Sequence, residues 1–340
     1  MENPCGIKGI AFVEWAPGGG MDAAALGELF AAFGFSRSHR HQAAAVDLYR
    51  QRDIRFLVNE ERAGFAADFG AVHGPSVCGL GLWVEDPREG LGVAVVRGAG
   101  RAEGVSTPLD VPAIYGVGDS LVYFLTPERL WGEFKAHPTP LVVPDAGFIT
   151  VDHLTNNVYQ GTLARWSGFY QDVLGFTEVR TFDIRGERTG LYSHALRSPC
   201  GSFCIPINEG TEEKSQIEEY LRAYRGPGVQ HIAFLTDDLV ASLDRMRGGP
   251  VRFLDIDPEY YRTVFERVPG VREDKGRLEA LQILVDGDAE GYLLQIFTQN
   301  LVGPIFIELI QRRNHLSFGE GNFGALFRSI ERDQERRGVL

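Results

Sequence analysis

The chain carries one strand pattern twice, and this repeat limits its architecture more than any other feature. Ser76-Val-Cys-Gly-Leu-Gly-Leu-Trp-Val-Glu-Asp86 can be laid over Gly228-Val-Gln-His-Ile-Ala-Phe-Leu-Thr-Asp-Asp238. Each is an apolar strand that ends in an acidic pair and leads into a helical stretch. Gly34-Phe35 and Gly175-Phe176 likewise each follow a helix and precede a strand. Two related halves follow, which suits 340 residues at roughly 100–200 residues per domain. The Pro-containing segment Pro138–Ala146 sets the boundary, giving residues 1–144 and 145–340. Strands are predicted at Gly9–Trp15, Val77–Val84, Leu121–Leu125, Phe148–Leu154, Val229–Leu235, Leu281–Val285, Tyr292–Phe297 and Ile305–Ile310. Helices are predicted at Ala23–Ala32, Leu163–Val173, Lys214–Tyr224 and Leu239–Met246. One strand, a helix and then several strands, twice over, define an α+β fold and not a doubly wound parallel sheet.

Within the repeat the halves differ in chemistry. Opposite His231 the first half has Gly79, and near the place of His153 it offers Glu14 or Trp15. The first half therefore cannot build the same site, and its expected role is packing and assembly.

Three residues of the second half stand out: His153 in Ile149-Thr-Val-Asp-His-Leu-Thr, His231 in Gly228-Val-Gln-His-Ile-Ala-Phe-Leu, and Glu308 in Pro304-Ile-Phe-Ile-Glu-Leu-Ile-Gln. Each is embedded in apolar strand sequence. A carboxylate buried alone among Ile305, Phe306, Ile307, Leu309 and Ile310 costs several kcal/mol, which a bound cation offsets. Two imidazoles and a carboxylate form a facial triad that leaves positions on iron(II) open for substrate and dioxygen. The three lie far apart in the sequence and form no local motif, so the residues alone leave a plain core or surface role open. His39, His41, His73, His137, His194 and His315 sit in polar or loop contexts and read as surface residues.

The formal net charge of −12 argues against nucleic acid or an anionic membrane as partner, since both require clustered Lys and Arg. An anionic substrate would need a local cation, and a metal supplies one. No run approaches a membrane span, and the opening Met1-Glu-Asn-Pro-Cys-Gly has no signal-peptide pattern. Cys5, Cys78, Cys200 and Cys204 form no CxxC pair and no disulfide framework, so free thiols in a cytoplasmic protein are expected. Gly98-Ala-Gly-Arg-Ala-Glu-Gly104 misses the GxGxxG spacing and reads as a loop.

The chain resembles the 4-hydroxyphenylpyruvate dioxygenases over nearly its whole length. The resemblance is carried by Asn3-Pro-Cys-Gly-Ile-Lys-Gly-Ile-Ala-Phe-Val-Glu-Trp, Asp47-Leu-Tyr-Arg-Gln, Phe56-Leu-Val-Asn and His73-Gly-Pro-Ser-Val-Cys in the first half. In the second it rests on Asp152-His-Leu-Thr-Asn-Asn-Val-Tyr, Pro206-Ile-Asn-Glu, Ser215-Gln-Ile, Leu293-Leu-Gln-Ile-Phe-Thr, Gly303-Pro-Ile-Phe-Ile-Glu-Leu-Ile-Gln-Arg and Phe318-Gly-Glu-Gly-Asn-Phe. It implies two halves of vicinal-oxygen-chelate type (glyoxalase/dihydroxybiphenyl dioxygenase-like), each of paired βαβββ modules, with a C-terminal lid helix. It also implies one Fe(II) per subunit, held by His153, His231 and Glu308. The implied reaction turns 4-hydroxyphenylpyruvate and O2 into homogentisate and CO2 by oxidative decarboxylation, ring hydroxylation and side-chain migration, in tyrosine and phenylalanine catabolism. Homodimers or homotetramers are the implied assembly.

A phenolic oxo acid needs aromatic walls and a few uncharged polar groups. Phe297 and Gln295 share one face of their strand, as do Phe306 and Glu308. By resemblance Phe297 and Phe323 flank the substrate ring, and Phe306 is a further wall. Ser193, Asn208, Gln216, Gln230 and Gln295 match the polar pocket wall, with Ser193, Asn208, Gln230 and Gln295 expected to take part in catalysis. After Asn322 as N-cap, Phe323, Leu326, Phe327 and Ile330 form the apolar face of a helix, and the resemblance makes this helix the lid. Phe318-Gly-Glu-Gly would hinge it.

The sequence departs from the family at Arg312-Arg-Asn-His-Leu-Ser-Phe318, which lacks the usual glycines, and in a short stretch between Gly104 and Ala146. Two alternatives remain. A hydroxymandelate synthase would hydroxylate the benzylic carbon of the same substrate. A small-molecule-binding protein of the same fold would do no chemistry.

Overall fold

In the computed structural model, which describes residues 2–186 and 188–339, the apolar runs assemble into two eight-stranded mixed sheets. Met1, Glu187 and Leu340, which fall inside the two sequence spans, lie outside the described residues. The first half comprises β1 (Ile7–Ala16), α1 (Ala23–Ala32), β2 (Ser36–His41), β3 (Val46–Gln51), β4 (Ile54–Asn59), α2 (Phe65–His73), β5 (Ser76–Val84), α3 (Pro87–Val96), β6 (Ala113–Tyr115), β7 (Leu121–Leu125), α4 (Pro127–Glu133) and β8 (Phe134–Leu141). The second comprises β9 (Phe148–Val158), α5 (Leu163–Gly168), β10 (Thr177–Arg185), β11 (Gly190–Arg197), β12 (Cys204–Gly210), α6 (Gln216–Tyr224), β13 (Gly228–Thr236), α7 (Leu239–Met246), α8 (Glu259–Arg267), α9 (Lys275–Ala280), β14 (Leu284–Gly287), β15 (Tyr292–Phe297), β16 (Phe306–Arg313) and α10 (Phe323–Arg336).

The sheets run β6-β7-β5-β1-β4-β3-β2-β8 and β10-β11-β12-β9-β13-β16-β15-β14. Read in opposite directions and offset by one strand, they correspond, with β8 and β14 left over: β1 matches β9, β4 matches β12, β5 matches β13 and β7 matches β16. The pairing senses agree as well, since β1 is antiparallel to β5 and parallel to β4, and β9 is antiparallel to β13 and parallel to β12.

Registers place individual residues in correspondence and correct one expectation. Glu14 lies opposite Gly79, and Gly81 opposite Tyr123. In the second sheet Thr155 lies opposite His231, and Ala233 opposite both His153 and Glu308. The first-half residue in the place of His153 is therefore Phe12, not Glu14 or Trp15, and Tyr123 stands in the place of Glu308. Glu14 takes the place of Thr155. Its buried carboxylate accepts hydrogen bonds from Asn59 Nδ2 and Tyr123 OH, each at 2.8 Å. A Cβ on Gly79 would meet Glu14 Oε2 and Tyr123 Cε2, both at 2.7 Å. The space of the second half's triad is packed solid in the first.

The main core crosses between the halves. Phe234 of β13 packs on Phe148 of its own half and on Phe33, Phe35 and Phe56 of the other, with ring centroids 5.5–5.9 Å apart.

Several local expectations shift. Leu281 caps α9, and Gln282 takes a left-handed φ of 58°, so the strand foreseen from Leu281 begins at Leu284. The helix foreseen to Val173 is α-helical only to Gly168 and ends in a π-helical turn. His41 and His137 are buried, not surface residues: His41 Nδ1 accepts the backbone N–H groups of Ala43 and Ala44, and His137 Nε2 lies 3.2 Å from Asp47 Oδ1. Gly98–Gly104 is a loop between α3 and β6, and all four cysteines are free. Among the described residues no helix is long and apolar enough to cross a membrane.

Candidate metal centre and pocket

His153, His231 and Glu308 come from three adjacent central strands, β9, β13 and β16. These strands form because continuous β-branched and aromatic runs are buried on both faces. The three ligand atoms lie within 4.8 Å of one another. His153 Nε2 is 3.1 Å and His231 Nε2 3.6 Å from Glu308 Oε2, and the two imidazole Nε2 atoms are 3.4 Å apart. Donors about 2.1 Å from one octahedral ion stand about 3 Å apart, so this spacing matches a shared cation.

The other ring nitrogens support the same reading. His153 Nδ1 lies 2.8 Å from Asp152 Oδ1, and His231 Nδ1 lies 2.9 Å from Gln230 Oε1. Each Nδ1–H thus has an acceptor, which turns an Nε2 lone pair toward the centre. Phe306 stacks on the His231 ring at 4.7 Å and 17° and limits its rotation. Thr155 Oγ1 sits 3.0 Å from His231 Nε2.

Electrostatically the site draws positive charge. Burial opposes protonation of His153, yet the Glu308 and Asp152 carboxylates outweigh it and His153 is pushed up to about 9. Burial, and the neighbouring His153, hold His231 well below the usual imidazole range. Burial would raise Asp152, but hydrogen bonds from Arg312 and His153 hold it below the usual carboxylate range. A metal would replace the proton that His153 otherwise takes up.

The triad lines a cavity of about 90 Å³. All the residues singled out by sequence line it. Phe297 and Phe306 form one wall, their rings 6.3 Å apart at 69°, and Phe323 closes another from α10. Ser193 and Asn208 pair across β11 and β12, and both are buried. Gln216 opens α6, whose start is fixed by Ser215 Oγ accepting the Glu218 N–H, and Gln230 precedes His231. Gln295 is committed on both sides: its Nε2 donates to Glu308 Oε1 at 2.9 Å, and its Oε1 accepts from Asn322 Nδ2 at 2.8 Å.

Asn322 stands at the N-cap position of α10 as expected, but does not cap it with its side chain. Its amide makes no cap bond; it holds Gln295 and accepts from Tyr260 OH at 2.7 Å. Gly319 and Gly321 let the chain press against Gln295 and against Arg267 and Asp286, where any Cβ would collide.

Phe182, Ile184, Leu191, Phe318, Leu326 and Phe327 also line the cavity. Of these, Leu326 and Phe327 had a helical period to betray them. Phe182 and Ile184 lie on β10, an exposed edge strand whose alternation of apolar and charged residues is the one available signal. A larger cleft of about 830 Å³ between the halves adjoins the cavity and shares Gln216, Gln230, Phe306 and Ile330 with it.

Comparison with known proteins follows the same division. Residues 1–133 match the family model described as hydroxyphenylpyruvate dioxygenase, N-terminal, and residues 150–277 the glyoxalase/bleomycin resistance protein/dioxygenase superfamily. The chain is 54% identical to protein MelA of Shewanella colwelliana, over 100% of this chain and 99% of that one. It is 40% identical to the 4-hydroxyphenylpyruvate dioxygenase of Legionella pneumophila strain Corby, over 99% and 98%. A solved mutant of 4-hydroxymandelate synthase from Streptomyces coelicolor is similar with a TM-score of 0.81 at 26% identity, over 96% of this chain and 99% of that one. The expected α+β fold of two glyoxalase-type halves is borne out.

Proposed function

The chain belongs to the 4-hydroxyphenylpyruvate dioxygenase family, and from this membership we infer that it converts 4-hydroxyphenylpyruvate and O2 to homogentisate and CO2. The family is metal-dependent, and we take the metal to be one Fe(II) per subunit, held by His153, His231 and Glu308. The observation that carries this reading is the convergence of two Nε2 atoms and one carboxylate oxygen, with both Nδ1 atoms engaged elsewhere.

When bound, iron(II) supplies dioxygen activation and the charge that holds the substrate's oxo-acid group. The chain's own residues bind and orient. Phe297 and Phe323 flank the ring, and stacking of this kind contributes about 0.5–1.5 kcal/mol beyond area burial. Phe306 fixes His231 and closes one wall. Ser193, Asn208, Gln216 and Gln230 offer uncharged hydrogen bonds to the phenol and the side chain, which suits a neutral hydroxyl better than a charged residue would. Gln295 keeps Glu308 oriented. Apolar residues of α10 line the cavity and keep water from the reacting centre.

The first half, with its counterpart of the triad filled by Phe12, Glu14 and Tyr123, is assigned to packing and to assembly as a homodimer or homotetramer. Four free thiols and an acidic surface support a cytoplasmic protein that acts on a small molecule and not on nucleic acid or membrane.

Likeness to a hydroxymandelate synthase makes benzylic hydroxylation the second reading, and product analysis separates the two. With Fe(II), ascorbate and 4-hydroxyphenylpyruvate, oxygen uptake with homogentisate as product is expected, and His153→Ala should lose bound iron. 4-Hydroxymandelate as product would shift the assignment to the sister reaction. No oxygen uptake, with iron content unchanged in His153→Ala, would overturn both.

A further inference from the structure

We propose that Asp152 and Arg312 are positioning residues that couple the seating of His153 on the metal to the seating of the loop at the base of α10. The proposal rests on the metal assignment above.

The chain of contacts is continuous. Asp152 Oδ1 faces His153 Nδ1 at 2.8 Å. Arg312 grips the same carboxylate with two parallel bonds, Nε to Oδ2 and Nη2 to Oδ1, both at 2.8 Å. Its remaining nitrogen, Nη1, donates to the carbonyls of His315 at 3.1 Å and Ser317 at 2.6 Å. Phe318 then lies edge-on to the His153 ring, with centroids 5.7 Å apart. The loop thus returns to the imidazole from which the chain of bonds started. Both charged side chains are only 13% exposed, so the pair is shielded from solvent and the fork geometry fixes direction as well as charge.

This arrangement explains how the loop is held. Asn314 takes a left-handed φ of 55°, and the next residues are tied by their carbonyls to one guanidinium. The guanidinium can satisfy those carbonyls only while it stays aligned with Asp152, and Asp152 stays aligned with Nδ1–H while Nε2 points to the centre. A ligand that fixes the imidazole therefore favours the seated loop, and by reciprocity the seated loop favours the ligand.

The test measures Fe(II) and Co(II) affinity and hydrogen exchange of residues 314–318, with and without metal. The proteins are the full-length wild type, Arg312→Gln, Arg312→Lys and Asp152→Asn. Outer-sphere partners of this kind typically set metal affinity by roughly 10–100-fold. Arg312→Gln and Asp152→Asn should bind both ions roughly 10–100-fold more weakly, and the visible Co(II) bands of Asp152→Asn should shift. Metal should slow exchange in 314–318 of the wild type and do so far less in Arg312→Gln. Arg312→Lys keeps the charge without the fork; it should fold and still lose this protection, so it carries the test if the glutamine variant does not fold. Wild-type affinity in the variants, or equal metal-induced protection, would overturn the coupling and leave the metal assignment standing. A wild type that binds neither ion would overturn the metal assignment itself.

Discussion

Glu14 is a carboxyl sealed inside a sheet, and its titration has a defined sign. Burial raises its pKa, and the hydrogen bonds from Asn59 and Tyr123 offset this only in part. The folded state therefore holds its proton more tightly than the unfolded chain does. The stability this contributes is present below the ordinary carboxyl range and is lost as pH rises through the raised value. Glu14→Gln keeps the shape and removes the titration. Its urea midpoint should gain on that of the wild type as pH rises above the ordinary carboxyl range; a difference that stays flat with pH would contradict the burial argument. Gln295→Leu should behave oppositely. It strips partners from both Glu308 and Asn322, and a loss of about 1–3 kcal/mol is expected in denaturant melts. Three other residues mark the limits of reading a sequence. Glu308 was legible because a charge in an apolar strand demands a reason. Asp152 stood in a motif beside a histidine, but nothing local told that its second oxygen would meet Arg312. Asn322 is the N-cap of α10, as its residue type suggested, yet its amide is claimed by a partner 27 residues away.

Among the elements, α10 shows what periodicity conveys and what it omits. The spacing of Phe323, Leu326, Phe327 and Ile330 declared an apolar face, and that face lines the cavity. The far end of the helix is fastened differently: Gln334 Nε2 donates to Glu219 Oε2 at 2.8 Å, and Arg337 pairs with Glu219 and Asp333. The polar fastenings to Glu219 of α6 leave no mark in a hydrophobic pattern. Two removals should separate the roles. Phe327→Ala deletes a buried ring and should cost about 3–5 kcal/mol, seen as faster hydrogen exchange across residues 323–336 together with weaker oxygen uptake. Arg337→Ala removes a partly exposed pair and should cost under about 1 kcal/mol, with faster exchange confined to the last turn. Equal effects of the two would mean that the polar end docks the helix as strongly as the apolar face does. Strands follow the same rule. β16 and β15 were readable as apolar runs, whereas β10, Thr-Glu-Val-Arg-Thr-Phe-Asp-Ile-Arg, is an edge strand with one face in solvent, and β8 is an edge strand that runs through Pro138 and Pro140, residues that disguise it in sequence.

Across the whole molecule, the shared aromatic core predicts that the halves do not melt apart. Phe234 joins rings from both, so calorimetry should record one transition, and Phe234→Ala should lower it as a unit by about 3–5 kcal/mol. Two separated transitions would show that the sheets are independent. Stripping metal with a chelator should lower the melting temperature by an amount that depends on the free metal concentration, since the ion binds only the folded state. The duplicated pattern was visible in sequence because both copies kept their apolar strand and acidic end. The alignment at Phe12 was not, because one irregularity in a strand moves the partner by a residue, and β1 has three such shifts against β5. That alignment has a practical consequence for anyone wishing to build a second reactive centre into this scaffold. Grafting His at 12, His at 79 and Glu at 123 would not suffice, for the carboxylate of residue 14 already fills the volume that a side chain at 79 must enter. A fourth exchange, Glu14→Thr, has to come first, and the twin cavity opens only then.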